Sequence, residues 1–348
     1  MKKHTVKRKK ALLLAAVIAL ALLLSACGEA AQYDVKVDAL NTTVTLTAFG
    51  KKADGALRNA AQTVTALDSM VDPELTTSVC YAINHAQGEQ INITGQVADM
   101  LLNAQEVYER SEGAYDLSVY PILELWGFND GKYYVPTDVE ISDVLLRECM
   151  GDMSVNKFPV SGTYSVSIPS YGEICFDSCD RGCACKYAVE AMSKAGVESG
   201  IVSMPGCIQT LGLKPDGSNW NIGIIDPNSP GNYLGVLTAG ETAVVTSAAY
   251  MRQMPGFPKY HHIFNPASGY PVSNSLLSVT IVCDDGTLAD CLSTAMYVMG
   301  QTKALNYWRT YGGFDMIIIN NSGEVICTSG LLERFDLKNG NYSLSFVE

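Results

Sequence analysis

After residue 26 this 348-residue sequence has no apolar run long enough to cross a bilayer, no internal repeat, no low-complexity linker and no Cys-x-x-Cys pair. These absences speak against a bundle of membrane-spanning helices, a repeat array, and a zinc knuckle or thioredoxin-like redox centre. Histidine is scarce, four residues in all, and none lies beside the crowded stretch CFDSCDRGCACK. Basic residues are few as well. Of 24 Lys and Arg, six fall in the first ten positions, which leaves 18 against 36 acidic residues and a net charge of about −18 for the rest. A polyanion such as nucleic acid is a poor partner for such a chain. The carboxylate surplus fits a site that recruits a hard cation, and equally an ordinary acidic exterior.

What is present begins with MKKHTVKRKK and then ALLLAAVIALALLL, a basic segment followed by an apolar one too short to span a membrane comfortably. This is the pattern of a secretory signal. LSAC, Leu24 to Cys27, resembles the bacterial lipobox, whose cysteine is lipid-modified after cleavage on its amino side. The expected organisation is a signal peptide over 1–26, a lipidated tether over 27–34 and one large domain over 35–348. Its body would sit outside the cytoplasm, anchored to the bacterial cell membrane as a lipoprotein. Export makes disulfides chemically permissible for the ten cysteines after Cys27,. Cys175, Cys179, Cys183 and Cys185 nevertheless read as small buried residues with an incidental disulfide.

Along the chain, VDALNTTVTLTAFG alternates as a strand, and ALRNAAQTVTALDSMV carries the three-and-four spacing of a helix,. A second helix, TGQVADMLLNAQEVYERSEG, starts at Thr94 and stops at Gly113. The polar stretch 129–162 shows no clear organisation. Further on, TYSVSIPSYGEICFD and SGIVSMPGCIQTLG read as strands flanking a helix, CKYAVEAMSKAG, that ends at Gly196,. NWNIGIID and YLGVLTAGETAVVTS continue the sheet, SLLSVTIVC enters it before the helix LADCLSTAMYVMG, and DMIIINNSGEVICTSGL closes as a hairpin,. Strands and helices that mix without regular βαβ alternation predict an α+β fold.

Three constellations can carry chemistry. On a helix, Asp290 and Thr294 are four apart and share a face, so a carboxylate and a hydroxyl can meet one Mg2+; a capping or back-bonding threonine explains the same spacing. DRGCACK, Asp180 to Lys186, stands just before a helix and offers a glycine, backbone amides and a lysine to a phosphate, or is a solvated loop. YHHIFNPASGYP places His262 on a turn fixed by Pro266, Gly269 and Pro271, where it is a candidate base or a structural histidine.

Taken in order, these segments resemble the ApbE family, the FAD:protein FMN transferases. TTSVCYAIN is similar to the family's S-x-(L/I)-x-x-(L/I)-N segment. GAYDLSVYPILELWGF resembles its G-A-F-D-x-(S/T)-V-x-P-L and L-W-G-F block, which is the most specific match. WNIGIIDP, AVVTSAAY, HHIFNPASGYPV and LADCLSTAMYVMG resemble the family's W-x-(V/I)-G-I-x-D-P, T-S-G-x-Y, H-I-(L/I)-D-P-(R/K)-T-G-Y-P and A-D-A-L-S-T-A motifs. The resemblance implies a single α+β domain that moves FMN from FAD to a Ser or Thr of an acceptor flavoprotein and releases AMP. Mg2+ would be held by Asp290, Thr294 and a backbone carbonyl, that of Cys183. Leu40, Ala114, Tyr115, Asp116, Asp180, Lys186 and Phe264 would bind FAD, and His262 and Asp290 would serve the chemistry.

The same motifs suit a Mg2+-dependent FAD pyrophosphatase, or an FAD-binding lipoprotein without turnover. The family loop D-(L/F)-G-G-I-A-K-G-Y-A-x-D is here D-R-G-C-A-C-K-Y-A-V-E. Asp180, Gly182 and Lys186 match it if one glycine is missing; an ungapped register puts Cys179 and Cys185 at the Asp and Lys positions. The family's G-G-D turn is MPGC here, with Cys207 at the acid's position, its M-G-T is LNT, and Val71 stands where an aromatic often covers the flavin.

Overall fold

The computed structural model describes residues 30–160 and 162–348; the expected signal peptide, Cys27 and the start of the tether lie outside them. Nine strands form one sheet and join in chain order: Gln32–Ala39, Thr42–Phe49, Gly200–Met204, Cys207–Leu211, Ala243–Ala248, Leu276–Cys283, Asp315–Asn320, Glu324–Thr328 and Ser343–Val347. Each neighbour is antiparallel to the last except the final, parallel pair.

Both faces of the sheet are buried, which explains runs such as DMIIIN. Val245, Ile281 and Ile318 point into a large core beneath the helices, whereas Val244, Val282, Ile317 and Ile319 point into a second one. The helix Ala53–Val71 buries Ala53, Ala56, Leu57, Ala60, Val64, Leu67 and Val71 on the first face, a stripe with the period of an amphipathic helix. Gly95–Arg110, Asp180–Lys194 and Gly286–Tyr311 join it there; the last is broken at Gly300, whose φ is 74°. A three-stranded sheet of Trp220–Ile225, Tyr233–Ala239 and Phe335–Leu337 covers the other face. A smaller cluster around Trp126, Phe128 and Phe264 packs alongside. This is the α+β architecture expected.

Several local expectations change. The first strand is a hairpin of two, turning at Leu40 and Asn41 with φ of 52° and 57°, and it begins at Gln32, inside the expected tether. NWNIGIID and the first half of YLGVLTAGETAVVTS leave the main sheet for the covering one. The stretch 129–162 holds a helix, Asp138–Leu145, started by a capping box between Thr137 and Glu140,. The helix expected from Cys185 starts five residues earlier, at Asp180, so the glycine loop is its first two turns.

Candidate active site

The histidine turn is built by hydrogen bonds that the sequence encodes locally. Phe264–Asn265 pairs with Tyr270–Pro271 in a minimal hairpin, and Gly269, at φ 70°, turns its carbonyl to the Trp126 indole N–H at 3.0 Å. His261 closes the turn: its Nε2 faces the Val272 carbonyl at 3.0 Å, while its Nδ1 accepts the Ile263 amide at 3.3 Å. Both nitrogens are occupied, so His261 is a neutral structural residue. His262 faces the pocket. Its Nδ1 lies 3.2 Å from the Arg252 carbonyl, which can only accept, so Nδ1 carries the proton and Nε2 keeps a free lone pair,. Burial, and then the Arg252 charge, lower its pKa to about 3.

Gly182 has a packing role. A Cβ at Gly182 would lie 2.0 Å from the Gly286 carbonyl oxygen and 2.7 Å from Asp290 Cβ. Only glycine lets the helices Asp180–Lys194 and Gly286–Tyr311 cross this closely. At the crossing the Gly182 amide donates to Asp290 Oδ2 at 2.8 Å. Asp290 is buried, which lifts its pKa to about 7 against the pull of that amide and of Arg181. One turn on, Thr294 Oγ1 is 3.1 Å from Ser247 Oγ, which also meets Ser293 Oγ at 2.8 Å.

One pocket collects these groups. Ala114, Asp116, Arg181, Ser247, His262, Phe264, Asp290 and Thr294 line it, from five distant segments of the chain. Its lining is mixed: Asp290, Thr294, Thr246 and Ser247 are polar, and Val119, Leu123, Met251, Ile263 and Phe264 are apolar. Asp116 accepts from the Ser118 amide and hydroxyl at 2.6 and 2.5 Å, yet burial raises its carboxyl to about 6.

The other expected residues lie elsewhere. Leu40 and Asp180 line an adjoining acidic cavity with Asp68, Asp72, Glu74 and Asp177. Buried Asp180 leaves Oδ1 without a partner, and burial holds its carboxyl well above the usual range. Tyr115 is buried behind the pocket, its hydroxyl accepting from Ser178 Oγ at 3.0 Å. Two expectations are corrected. Lys186 does not reach the pocket, because Asp99 and Asp285 hold its ammonium at 2.7 and 2.6 Å. Cys183 does not line the pocket; it is buried as the fourth residue of a helix, where its carbonyl belongs to the backbone ladder,. The ten described cysteines are all buried and unpaired, so the incidental disulfide is not formed, although Cys207 Sγ and Cys185 Sγ are 3.4 Å apart.

Sequence reasoning missed Arg181, Arg252 and Cys207 as pocket residues. For Arg181 a signal existed, a charged residue where the resembling loop is apolar; nothing local marked Arg252.

A model of the ApbE family matches residues 40–318. The chain is 26% identical over 249 residues to the FAD:protein FMN transferase of Treponema pallidum (strain Nichols), covering 68% of each. It is 26% identical over 266 residues to that of Klebsiella pneumoniae (strain 342), covering 75% of this chain and 81% of the relative. Among solved structures, the ApbE protein of Thermotoga maritima superposes with a TM-score of 0.79 at 24% identity, over 87% of this chain and 99% of that one. The flavin transferase ApbE of Vibrio cholerae superposes with a TM-score of 0.76 at 21% identity, over 88% and 99%.

Proposed function

Because the chain belongs to the ApbE family, we propose that it is an FAD:protein FMN transferase, moving FMN from FAD to a Ser or Thr hydroxyl of an acceptor flavoprotein. The observation that carries this reading is the single pocket in which Asp290, Thr294, His262 and Asp116 meet apolar residues. A flat ring system can lie on apolar residues such as Phe264, Ile263 and Leu123 while phosphates meet the polar groups around Asp290 and Thr294. In the reaction the acceptor oxygen bonds to the FMN-side phosphorus, the phosphoanhydride bond to AMP breaks, and AMP leaves.

Magnesium fits the donor set. Among the described residues no three His, Cys, Asp or Glu side chains gather tightly enough to hold a metal by themselves. A hard cation here would take Asp290, the Thr294 hydroxyl, water and substrate oxygens, the mixture that Mg2+ accepts. When bound it would neutralise charge on the transferring phosphoryl group. The protein's own contribution is position and proton handling. The Gly182 amide fixes Asp290, and Ser247 fixes Thr294. His262 offers neutral Nε2 to the acceptor hydroxyl's proton, and nearby phosphate charge raises its low pKa toward a working value.

The amino terminus supports the further proposal that the protein is an extracytoplasmic lipoprotein held to the membrane through Cys27. The activity is tested by incubating the purified protein with FAD, Mg2+ and a flavinylatable acceptor domain. Covalent flavin fluorescence on the acceptor together with AMP is expected. FMN and AMP without a labelled acceptor would make the protein a pyrophosphatase, and neither product would overturn both activities.

A further inference from the structure

Arg181 lines the pocket, partly buried, next in sequence to the glycine that fixes Asp290. Among the described residues its guanidinium makes no hydrogen bond and no ion pair within 4 Å, although its charge acts on the carboxyls of both Asp180 and Asp290. A guanidinium carries five N–H donors in a fixed plane, and withdrawing them from water without acceptors is costly. The other cations around the site are engaged. Arg252 donates to the Phe128 carbonyl and lies 3.6 Å from Asp177, and Lys186 is held between two carboxylates.

We infer that Arg181 is the pyrophosphate-binding residue of this pocket, taking two phosphate oxygens of the dinucleotide in its planar fork. The inference rests on the flavin-dinucleotide reading and adds to it the residue that recognises the diphosphate. The position makes sense of the sequence. In the register that keeps Asp180 and Gly182, the loop this chain resembles has an apolar residue where Arg181 stands, and the lysine of this chain, Lys186, is tied into an ion triad. Of the two cations on this helix, Arg181 is the one that shares the pocket with Asp290. Arginine suits the task better than lysine because the fork matches two phosphate oxygens at once.

Three probes separate the parts of the ligand: riboflavin has the ring and no phosphate, ADP has the diphosphate and no flavin, and FAD has both. Calorimetric titration of the purified protein with each is compared with Arg181→Leu and Arg181→Lys. Loss of a charge-assisted pair corresponds to roughly tenfold or more in affinity. Arg181→Leu is expected to weaken ADP and FAD by about that factor and to leave riboflavin unchanged; Arg181→Lys recovers part of the loss. Wild-type affinity for ADP in the leucine variant overturns the inference while leaving the flavin reading intact. Wild-type protein that binds neither FAD nor ADP overturns both. If the leucine variant lacks a cooperative thermal transition, the lysine variant decides: ADP weakened at least about threefold supports the fork, and unchanged ADP affinity overturns it.

Discussion

At the scale of single residues, the protonation of Asp290 governs the site. Its carboxyl sits at about 7, chiefly because burial disfavours the charge. The folded state therefore holds this proton more tightly than the unfolded chain, whose carboxyl titrates near the ordinary aspartate value of about 3.9. Stability contributed by the bound proton is present at low pH, fades between about pH 4 and 7, and is gone above that. A divalent cation on the carboxylate offsets the same cost. Mg2+ should accordingly raise the Tm of the wild type at pH 8 by several degrees and hardly at pH 5. Asp290→Asn still offers an oxygen to the Gly182 amide. It should be at least as stable as the metal-free wild type at pH 8, gain nothing from Mg2+, and lose turnover. A full Mg2+-dependent shift in that variant, read by calorimetry, would place the cation away from Asp290.

At the scale of elements, the crossing of the helices Asp180–Lys194 and Gly286–Tyr311 orients the site, and two glycines make it. A Cβ on Gly182 meets the Gly286 carbonyl at 2.0 Å, and one on Gly286 meets Gln209 Oε1 at 2.4 Å and the Gly182 carbonyl at 2.6 Å. These neighbours are largely backbone and cannot swing aside. Gly182→Ala should cost about 1–3 kcal/mol by overpacking, lower the Tm by several degrees, and reduce turnover because Asp290 shifts with the helix. Gly55, exposed in the helix Ala53–Val71 with no atom within 4 Å of an added Cβ, provides the contrast: Gly55→Ala should gain up to about 1 kcal/mol from helix propensity. Equal melting temperatures for the two variants would show that the crossing is not tight. The sequence does not announce this crossing. Cys179, the residue before the helix, makes no side-chain cap, so no start signal separates DRGCACK from a loop. The Leu40 and Asn41 turn is only half marked, since Asn41 suits a positive φ but Leu40 does not,.

At the scale of the whole molecule, legibility follows the range of the interactions. The periodic helices and the Asp315–Thr328 hairpin are written in neighbouring residues. Pocket membership depends on contacts such as Trp126 Nε1 to the Gly269 carbonyl, 143 residues apart, and spacing alone cannot show those. The family motifs bridged part of that gap, marking Asp116, His262, Asp290 and Thr294, but they gave no sign that Lys186 is held by Asp99 and Asp285 while Arg181 lines the pocket. The amino terminus sets the last prediction. Five residue steps separate Cys27 from the first strand at Gln32, a reach of less than about 18 Å for an extended chain. A lipid on Cys27 would thus hold the domain against the membrane. Cys27→Ser removes the thiol that the proposed lipid would modify and leaves the described domain untouched. In fractionated cells the variant should lose the detergent-extractable pool of the mature protein. After purification without the leader it should flavinylate a soluble acceptor domain as well as the wild type does. A variant that still partitions with membranes and needs detergent for release would show that something other than Cys27 holds it there.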